Sequence, residues 1–407
     1  MIGRTAIMTI LLDTDNYRPA INGVVSHVLL IKEELEKRGH TVIVVAPSYG
    51  KRNGKPEENL YRLRAINNPL RSLDKIVLPF DPNVESSILR YPIDIVHSHL
   101  FLSGFFGLQI ARKKRIPKVV TLHTLFGYYW QWLLPHVEGV TSSVTDFMQR
   151  FYFEYYDAVI APSSKAVSAL KKARVKTRIA LIHNGIKLDP FIHADSALFR
   201  STYHVSKDTR LLVLVGRVDA EKNIDLAVRA MQRVSKKTPD VKLAIVGDGM
   251  QRKKIEKLIQ RLGLTRYVFI TGFVDSAMVA SANKAATAAL FLSTQDTFST
   301  VAMETIVSGT PMISVKDKAI AGIVRNNHTG LFTTTRPTAI SDTILELLGN
   351  PTLNRKLRNG CIEDRDKFSI EHTVDNLLLL YNEYIDLYKS GKAFEVIAEQ
   401  SRRLPEW

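Results

Sequence analysis

Short apolar runs alternate with longer amphipathic stretches along most of this chain, and that alternation leaves few folds open. Through the first half the runs are TAIMTILLD, TVIVVAP, DIVHSH, KVVTLH, AVIAP and RIALIHNG, several of them rich in β-branched residues and often bounded by Gly, Pro or Asp. Helix candidates lie between them. In GVVSHVLLIKEELEKRGH, Val24, Val28, Ile31 and Leu35 form an apolar stripe at helical spacing, and Gly39 is placed to end it. Strands that alternate with helices imply a parallel sheet covered on both faces. Near residue 186 the pattern restarts with RLLVLVG, VKLAIVG, YVFITG, AALFLST and PMISV. At 407 residues the chain exceeds what one hydrophobic core supports.

The resulting expectation is α/β: two tandem Rossmann-like doubly wound domains facing a central cleft, the first over 1–190 and the second over 191–369. KLDPFIHADSALFRSTYHVSKDTR, between them, reads as a polar linker with a short helix. Beyond about residue 337 the pattern turns helical. The long amphipathic stretch SIEHTVDNLLLLYNEYIDLYKS, within 370–407, is expected to pack across both domains and cross back to the first.

The formal net charge is +16, with 27 basic and 17 acidic residues in positions 1–200 and 29 against 23 in the rest. Such an excess fits an anionic partner (nucleic acid, a membrane surface or a phosphorylated ligand) or a merely solvated surface, and charge alone does not choose. No nucleic-acid recognition motif accompanies it. The lone Cys361 excludes an internal disulfide and fits a reducing compartment. The N-terminal apolar run ends in an acid rather than at a small-residue cleavage site, and no apolar stretch is long enough to span a bilayer. A cytoplasmic location is expected.

Ligands of doubly wound sheets sit beyond the carboxyl ends of the strands, and several residues there can carry chemistry. Asn22-Gly23 follows the first strand and opens a helix, where a bare backbone N–H suits a phosphate; it is equally a plain strand-to-helix turn. In VGRVDAEKN, Arg217 and Lys222 follow a buried strand and can neutralise a phosphate, or simply cap a loop. Gly247-Asp248-Gly249 reads as a tight turn, beside a ligand or not. His123 closes KVVTLH and can hydrogen-bond a sugar hydroxyl. His97 and His99 share one sheet face, which makes metal binding conceivable, but no third ligand is visible and a structural role is preferred.

The stretch TQDTFSTVAMETIVSGTP is the most specific. Ser299 or Thr300 can cap a helix running through VAMETIVS to Gly309, and the amides of Ser299, Thr300 and Val301 suit a diphosphate. Asp296 precedes the helix tip and Glu304 lies about one turn inside, so both can accept hydrogen bonds from hydroxyls flanking that diphosphate. A nucleotide sugar has that layout. Two ordinary surface carboxylates are the alternative.

Taken in order, NGV after strand one, VGRVDAEKN, VGDG, TGFV and the acid–x7–acid box followed by SGTP resemble the retaining glycosyltransferases of the glycogen-synthase-like superfamily, family 4 type, with the GT-B fold. The resemblance implies that Gly23 offers its N–H to the donor phosphate, Arg217 and Lys222 neutralise the leaving diphosphate, and Glu304 holds the ribose. It also implies that Asp296 contacts the donor hexose, Phe298, Ser299 and Thr300 shape the phosphate loop, Val274 lies near the base, and His123 reaches the hexose. Where the family usually has Glu at the first acid, this chain has the shorter Asp296, which puts the sugar-contact geometry in question; where it often has Gly-Gly, this chain has Asn22-Gly23. The implied reaction keeps the anomeric configuration through same-face substitution, without a metal and with no cofactor beyond the nucleotide-sugar donor, a UDP-sugar favoured over a GDP-sugar.

The same family places the acceptor on the first domain, the more basic one. Arg112, Lys113, Lys114 and Arg115 form a cationic cluster, and RLRAINNPLRSLDKIVLPF, FGYYWQWLLP and DFMQRFYFEYY mix charge with aliphatic and aromatic residues. That combination suits an anionic membrane surface. LLDTDNYRPAINGVVSHV is similar to the glucosyltransferases that build glycosyl-diacylglycerols. The expectation is therefore transfer of a hexose, glucose from UDP-glucose first, to a lipid acceptor such as diacylglycerol by a protein peripheral to the inner face of the cell membrane. A GDP-mannose- or UDP-sugar-dependent transferase acting on a phosphoinositide or soluble sugar, and a nucleotide-sugar epimerase, remain open. A dinucleotide oxidoreductase should show G-x-G-x-x-G after the first strand, and none is present.

Overall fold

Continuous apolar runs make strands that are buried on both faces. The computed structural model describes residues 6–20, 22–53, 55–68, 71–99, 101–124 and 142–393. Its strands are, in chain order, β1 (Thr9–Thr14), β2 (Thr41–Pro47), β3 (Leu60–Leu63), β4 (Ala65–Asn68), β5 (Arg71–Val77), β6 (Ile95–His99), β7 (Lys118–Thr121), β8 (Ala158–Ala161) and β9 (Arg178–Leu181). There follow β10 (Arg210–Val215), β11 (Val241–Val246), β12 (Val268–Ile270), β13 (Ala288–Phe291), β14 (Met312–Val315) and β15 (Gly330–Thr333). The chain divides into two compact units, Met1–Gly185 with Ile370–Trp407, and Ile186–Ser369.

The first unit holds a seven-stranded parallel sheet in the order β3-β2-β1-β6-β7-β8-β9, and β4 and β5 form a separate antiparallel ribbon. Its core joins Ile10 and Leu12 of β1 to Val28, Ile31 and Leu35 of the helix Gly23–Lys37. Val374, Leu377, Tyr381 and Tyr384 of the helix Ile370–Lys389 lie in that same core, each buried apolar side chain stabilising the unit by about 1.5–3 kcal/mol. Arg38 pairs with Asp375 of this helix, and Tyr381 is hydrogen-bonded to His97 at 2.6 Å. The helix is therefore a structural part of the first unit.

The second unit holds a six-stranded parallel sheet in the order β12-β11-β10-β13-β14-β15. The segment read as a polar linker belongs to it. It forms two short helices, Asp189–Ile192 and Ser196–Thr202, and buries Phe191 and Phe199 in the core. The polar residues between those phenylalanines made it read as linker; they line the outer side, with Asp195 accepting from the Ala197 amide at the start of the second helix.

Both sheets reverse strand order beside the first strand of the unit, between β1 and β6 and between β10 and β13. The crevice outside the carboxyl ends of strands at such a reversal is where ligands of this architecture bind.

Candidate active site

In the second unit, the loops leaving β10 and β13 meet at that reversal. Lys222, on the first loop, donates to both carboxylate oxygens of Asp296, on the second, at 2.8 and 3.0 Å. The pair is largely buried, the two side chains being 18% and 22% exposed. Arg217 stands in solvent at the end of β10, held by Asp219 and Glu221 at 3.0 and 3.1 Å. Exposed pairs of this kind are weak, so the guanidinium can turn to an anionic ligand at little cost.

The VGDG turn has a fold role. Gly247 has φ +145°, and a Cβ on it would run into the carbonyl of Gly216. The loops leaving β10 and β11 are stitched by the amides of Val218 and Gln251, which donate to Asp248 O and Val218 O at 2.9 and 2.8 Å.

The box beyond β13 forms as its chemistry suggests. Of the two candidate caps, Ser299 serves: its side chain accepts from the Ala302 amide at 3.2 Å and starts the helix Thr300–Val307. The remaining first-turn amides, those of Thr300 and Val301, have no acceptor within the helix and face whatever occupies its tip. Phe298 and Val274 are partly buried against the core of this unit. Beside Val274, Phe273 is 87% exposed, an aromatic face that the sequence reading passed over. Glu304 is half-buried in the helix, with no ion pair among the described residues. Burial pushes its carboxyl up to about 7. The arrangement is one cation–carboxylate pair, one exposed arginine, a bare helix tip and one isolated carboxylate.

In the first unit, Asn22 caps the helix Gly23–Lys37, its side chain accepting from the amides of Val24 and Val25 at 3.0 Å each. Gly23 is exposed at the first helical position, and a Cβ there would meet nothing within 4 Å. The fold therefore does not demand glycine at 23, whereas it does at 247. Gly23→Ala is expected to change stability by no more than about 0.5 kcal/mol and still to weaken the binding of a ligand that approaches this backbone. Gly247→Ala is expected to lose about 1–3 kcal/mol. Urea midpoints paired with nucleotide titrations check both.

Asp15, leaving β1, accepts from the amides of Phe101, Leu102 and Ser103 and so caps the helix Leu102–Lys114. Asp13 is fully buried beside Ser98 Oγ at 2.6 Å, and burial raises its carboxyl to about 7. Arg112, Lys113 and Lys114 occupy the last turn of that helix, where cations suit the dipole, and Lys113 pairs with Glu85; Arg115 follows as the cap.

His123, two residues past β7, is not alone. Its Nε2 lies 2.9 Å from His99 Nδ1, and its ring centroid lies 5.1 Å from that of His27. The third histidine that the sequence did not reveal is thus His27, on the helix after β1, partnering His99 and His123. His97 packs on His99, with ring centroids 4.1 Å apart, but its nitrogens are taken: they bond Tyr381 and Thr121 at 2.6 and 2.7 Å, a structural role. Burial lowers the basicity of all four imidazoles, His27 and His97 to about 3 and the other two well below the ordinary value, so they are neutral.

Residues 21–190 match Glycosyltransferase Family 4, and residues 196–365 match Glycosyl transferases group 1. The chain is 27% identical over 331 residues to an alpha-monoglucosyldiacylglycerol synthase of Acholeplasma laidlawii, covering 78% of this chain and 83% of that one. It is 28% identical over 354 residues to a GDP-mannose-dependent alpha-mannosyltransferase of Mycolicibacterium smegmatis, covering 83% and 89%. The solved structure of Anabaena Alr3699/HepE in complex with UDP and glucose superposes with a TM-score of 0.70 at 17% identity, covering 92% of this chain and 100% of that one. The chain belongs to the glycosyltransferase superfamily of GT-B fold and is an enzyme, a hexosyltransferase.

Proposed function

We propose that this enzyme transfers glucose from UDP-glucose, with retention of configuration, to a membrane lipid acceptor such as diacylglycerol. The observation that carries the donor half is the meeting of Lys222, Asp296, the tip of Thr300–Val307 and Glu304, which has no ion pair among the described residues, at one strand-order reversal. The diphosphate lies on the helix tip, with Lys222 and Arg217 stabilising its growing charge. Glu304 accepts from the ribose hydroxyls, Phe273 and Val274 flank the base, and Asp296 accepts from the hexose hydroxyls. The bond from the anomeric carbon to the diphosphate oxygen breaks as the acceptor oxygen bonds to the same face, and the acceptor proton passes to the leaving diphosphate. Positioning and charge stabilisation supply the rate.

Support for a lipid acceptor comes from the likeness to the monoglucosyldiacylglycerol synthase and from apolar side chains the first unit leaves in solvent. Ile66, Phe80, Phe147 and Phe151 are 53%, 65%, 56% and 52% exposed, in a unit that also carries the Arg112–Arg115 cluster. Apolar and cationic groups together favour peripheral attachment to an anionic leaflet. No helix among the described residues is long and apolar enough to cross a membrane.

Thermal unfolding with UDP, GDP, ADP and NAD in parallel tests the donor, since a ligand that binds only the native state raises the melting temperature. A shift with UDP alone is expected. A shift with GDP alone would replace glucose from UDP by a GDP-sugar, the reading that the mannosyltransferase likeness favours; a shift with NAD alone would sink both.

A further inference from the structure

One ring nitrogen from each of His27, His99 and His123 lies within 4.8 Å of the others, the one such group of metal-ligating side chains among the described residues. Three separate elements bring them together: the helix after β1, the end of β6 and the exit of β7. The rings of His99 and His123 stack at 5.2 Å, and His27 stands edge-on to both at 5.8 and 5.1 Å. Two nitrogens of the group, His27 Nδ1 and His99 Nε2, are buried without a hydrogen-bond partner. Buried polar atoms are rarely left so, and a bound ion is one of the ordinary reasons. The neutral imidazole is also the form that ligates metal.

We propose that His27, His99 and His123 form a three-histidine site for a divalent ion of the zinc class, with a fourth position open to water. The donor set is nitrogen only. Imidazole suits Zn2+, Co2+, Ni2+ and Cu2+, whereas Mg2+ and Ca2+ require oxygen ligands. Three protein ligands with one open position is a coordination that zinc adopts readily, with Zn–N bonds of about 2.0–2.1 Å. Binding asks the His99 and His123 rings to give up their mutual 2.9 Å hydrogen bond and turn toward the shared centre. Because the family resemblance assigns His123 to the hexose, an ion held here would withdraw it from the donor. That regulatory consequence rests on the transferase reading, but ion binding does not.

The test uses full-length protein without an affinity tag, stripped of metal and titrated with Co2+ and then Zn2+. One equivalent of Co2+ is expected to give the intense visible absorption of a four-coordinate ion, bleached by Zn2+. His27→Gln and His99→Gln are each expected to weaken binding by about tenfold or more. Should a variant fail to fold, X-ray absorption of the zinc-loaded parent decides: a first shell with three imidazole nitrogens supports the site, and a shell of carboxylate oxygens overturns it. Cobalt spectra of a hydrated ion, or variants that bind as tightly as the parent, also overturn it. None of these readouts requires catalysis, so failure here and failure of the transferase reading are separable.

Discussion

Glu304→Ala is expected to lower turnover by about 100-fold or more and to weaken nucleotide binding by at least about tenfold. Hydrogen bonds to a charged acceptor are worth about 1.5–3 kcal/mol, and a ribose offers two hydroxyls to one carboxylate. The same residue should limit stability. Its carboxyl is raised from 4.5 to about 7 by burial, so its favourable contribution is full below pH 4.5 and is lost as pH climbs through 7. Glu304→Gln, which cannot ionise, is therefore expected to be more stable than the parent at pH 8, on the order of 1–3 kcal/mol, and equal to it near pH 4. Activity assays beside urea unfolding at the two pH values check this. An unchanged turnover would remove the acid box from the mechanism. A variant less stable at pH 8 would mean that the carboxylate holds the fold rather than awaiting a ligand.

Acidification is expected to melt the first unit ahead of the second. His27, His97 and His99 are buried there and His123 is half-buried, all with lowered proton affinity. For such groups stability is full above 6.5 and is lost as pH falls toward the folded values, near 3 for His27 and His97. Asp13, raised to about 7, and Asp15, also raised by burial, act in the opposite sense and offset part of the loss. Four histidines oppose two carboxyls, so the net effect between pH 7 and pH 5 should be a loss of stability in the first unit. The second unit has no fully buried histidine among its described residues, and its Glu304 becomes easier to bury in acid. Peptide-resolved hydrogen exchange, corrected for the intrinsic effect of pH, should show protection falling across β1, β6 and β7 while β10 and β13 hold. Equal losses in both units would show that the histidines are not what limits acid stability.

The sheet strands were legible because their physics is local. TVIVVAP is a continuous β-branched run, and β2 occupies it from end to end. Edge and short strands were not: β3 is LYRL and β15 is GLFT, each only four residues with polar or small members that carry little pattern. The ribbon of β4 and β5 was read only as basic and apolar surface, since its antiparallel register, Ala65 opposite Val77 and Ile66 opposite Ile76, is a property of the pair that neither strand carries alone. The capped helix at Ser299 was readable from the hydroxyl before VAMET, a local signal. The Lys222–Asp296 pair spans 74 positions, and His27 reaches His99 and His123 only because β1, β6 and β7 lie side by side. Such juxtapositions belong to topology, which no window of sequence contains.

The helix Ile370–Lys389 completes the core of a unit whose other residues end at Gly185. During synthesis, the first part to leave the ribosome is thus an unfinished sheet, with the apolar face that Val374, Leu377 and Tyr381 will cover still bare. The second unit is one continuous stretch and holds everything it needs once residue 369 has emerged. It can close first, and in doing so it pairs Ile186 with Ser369, the residues at its own two ends. The order of maturation then runs against the order of translation, and a ribosome stalled short of the final helix would release a chain with a finished rear half and a sticky front one.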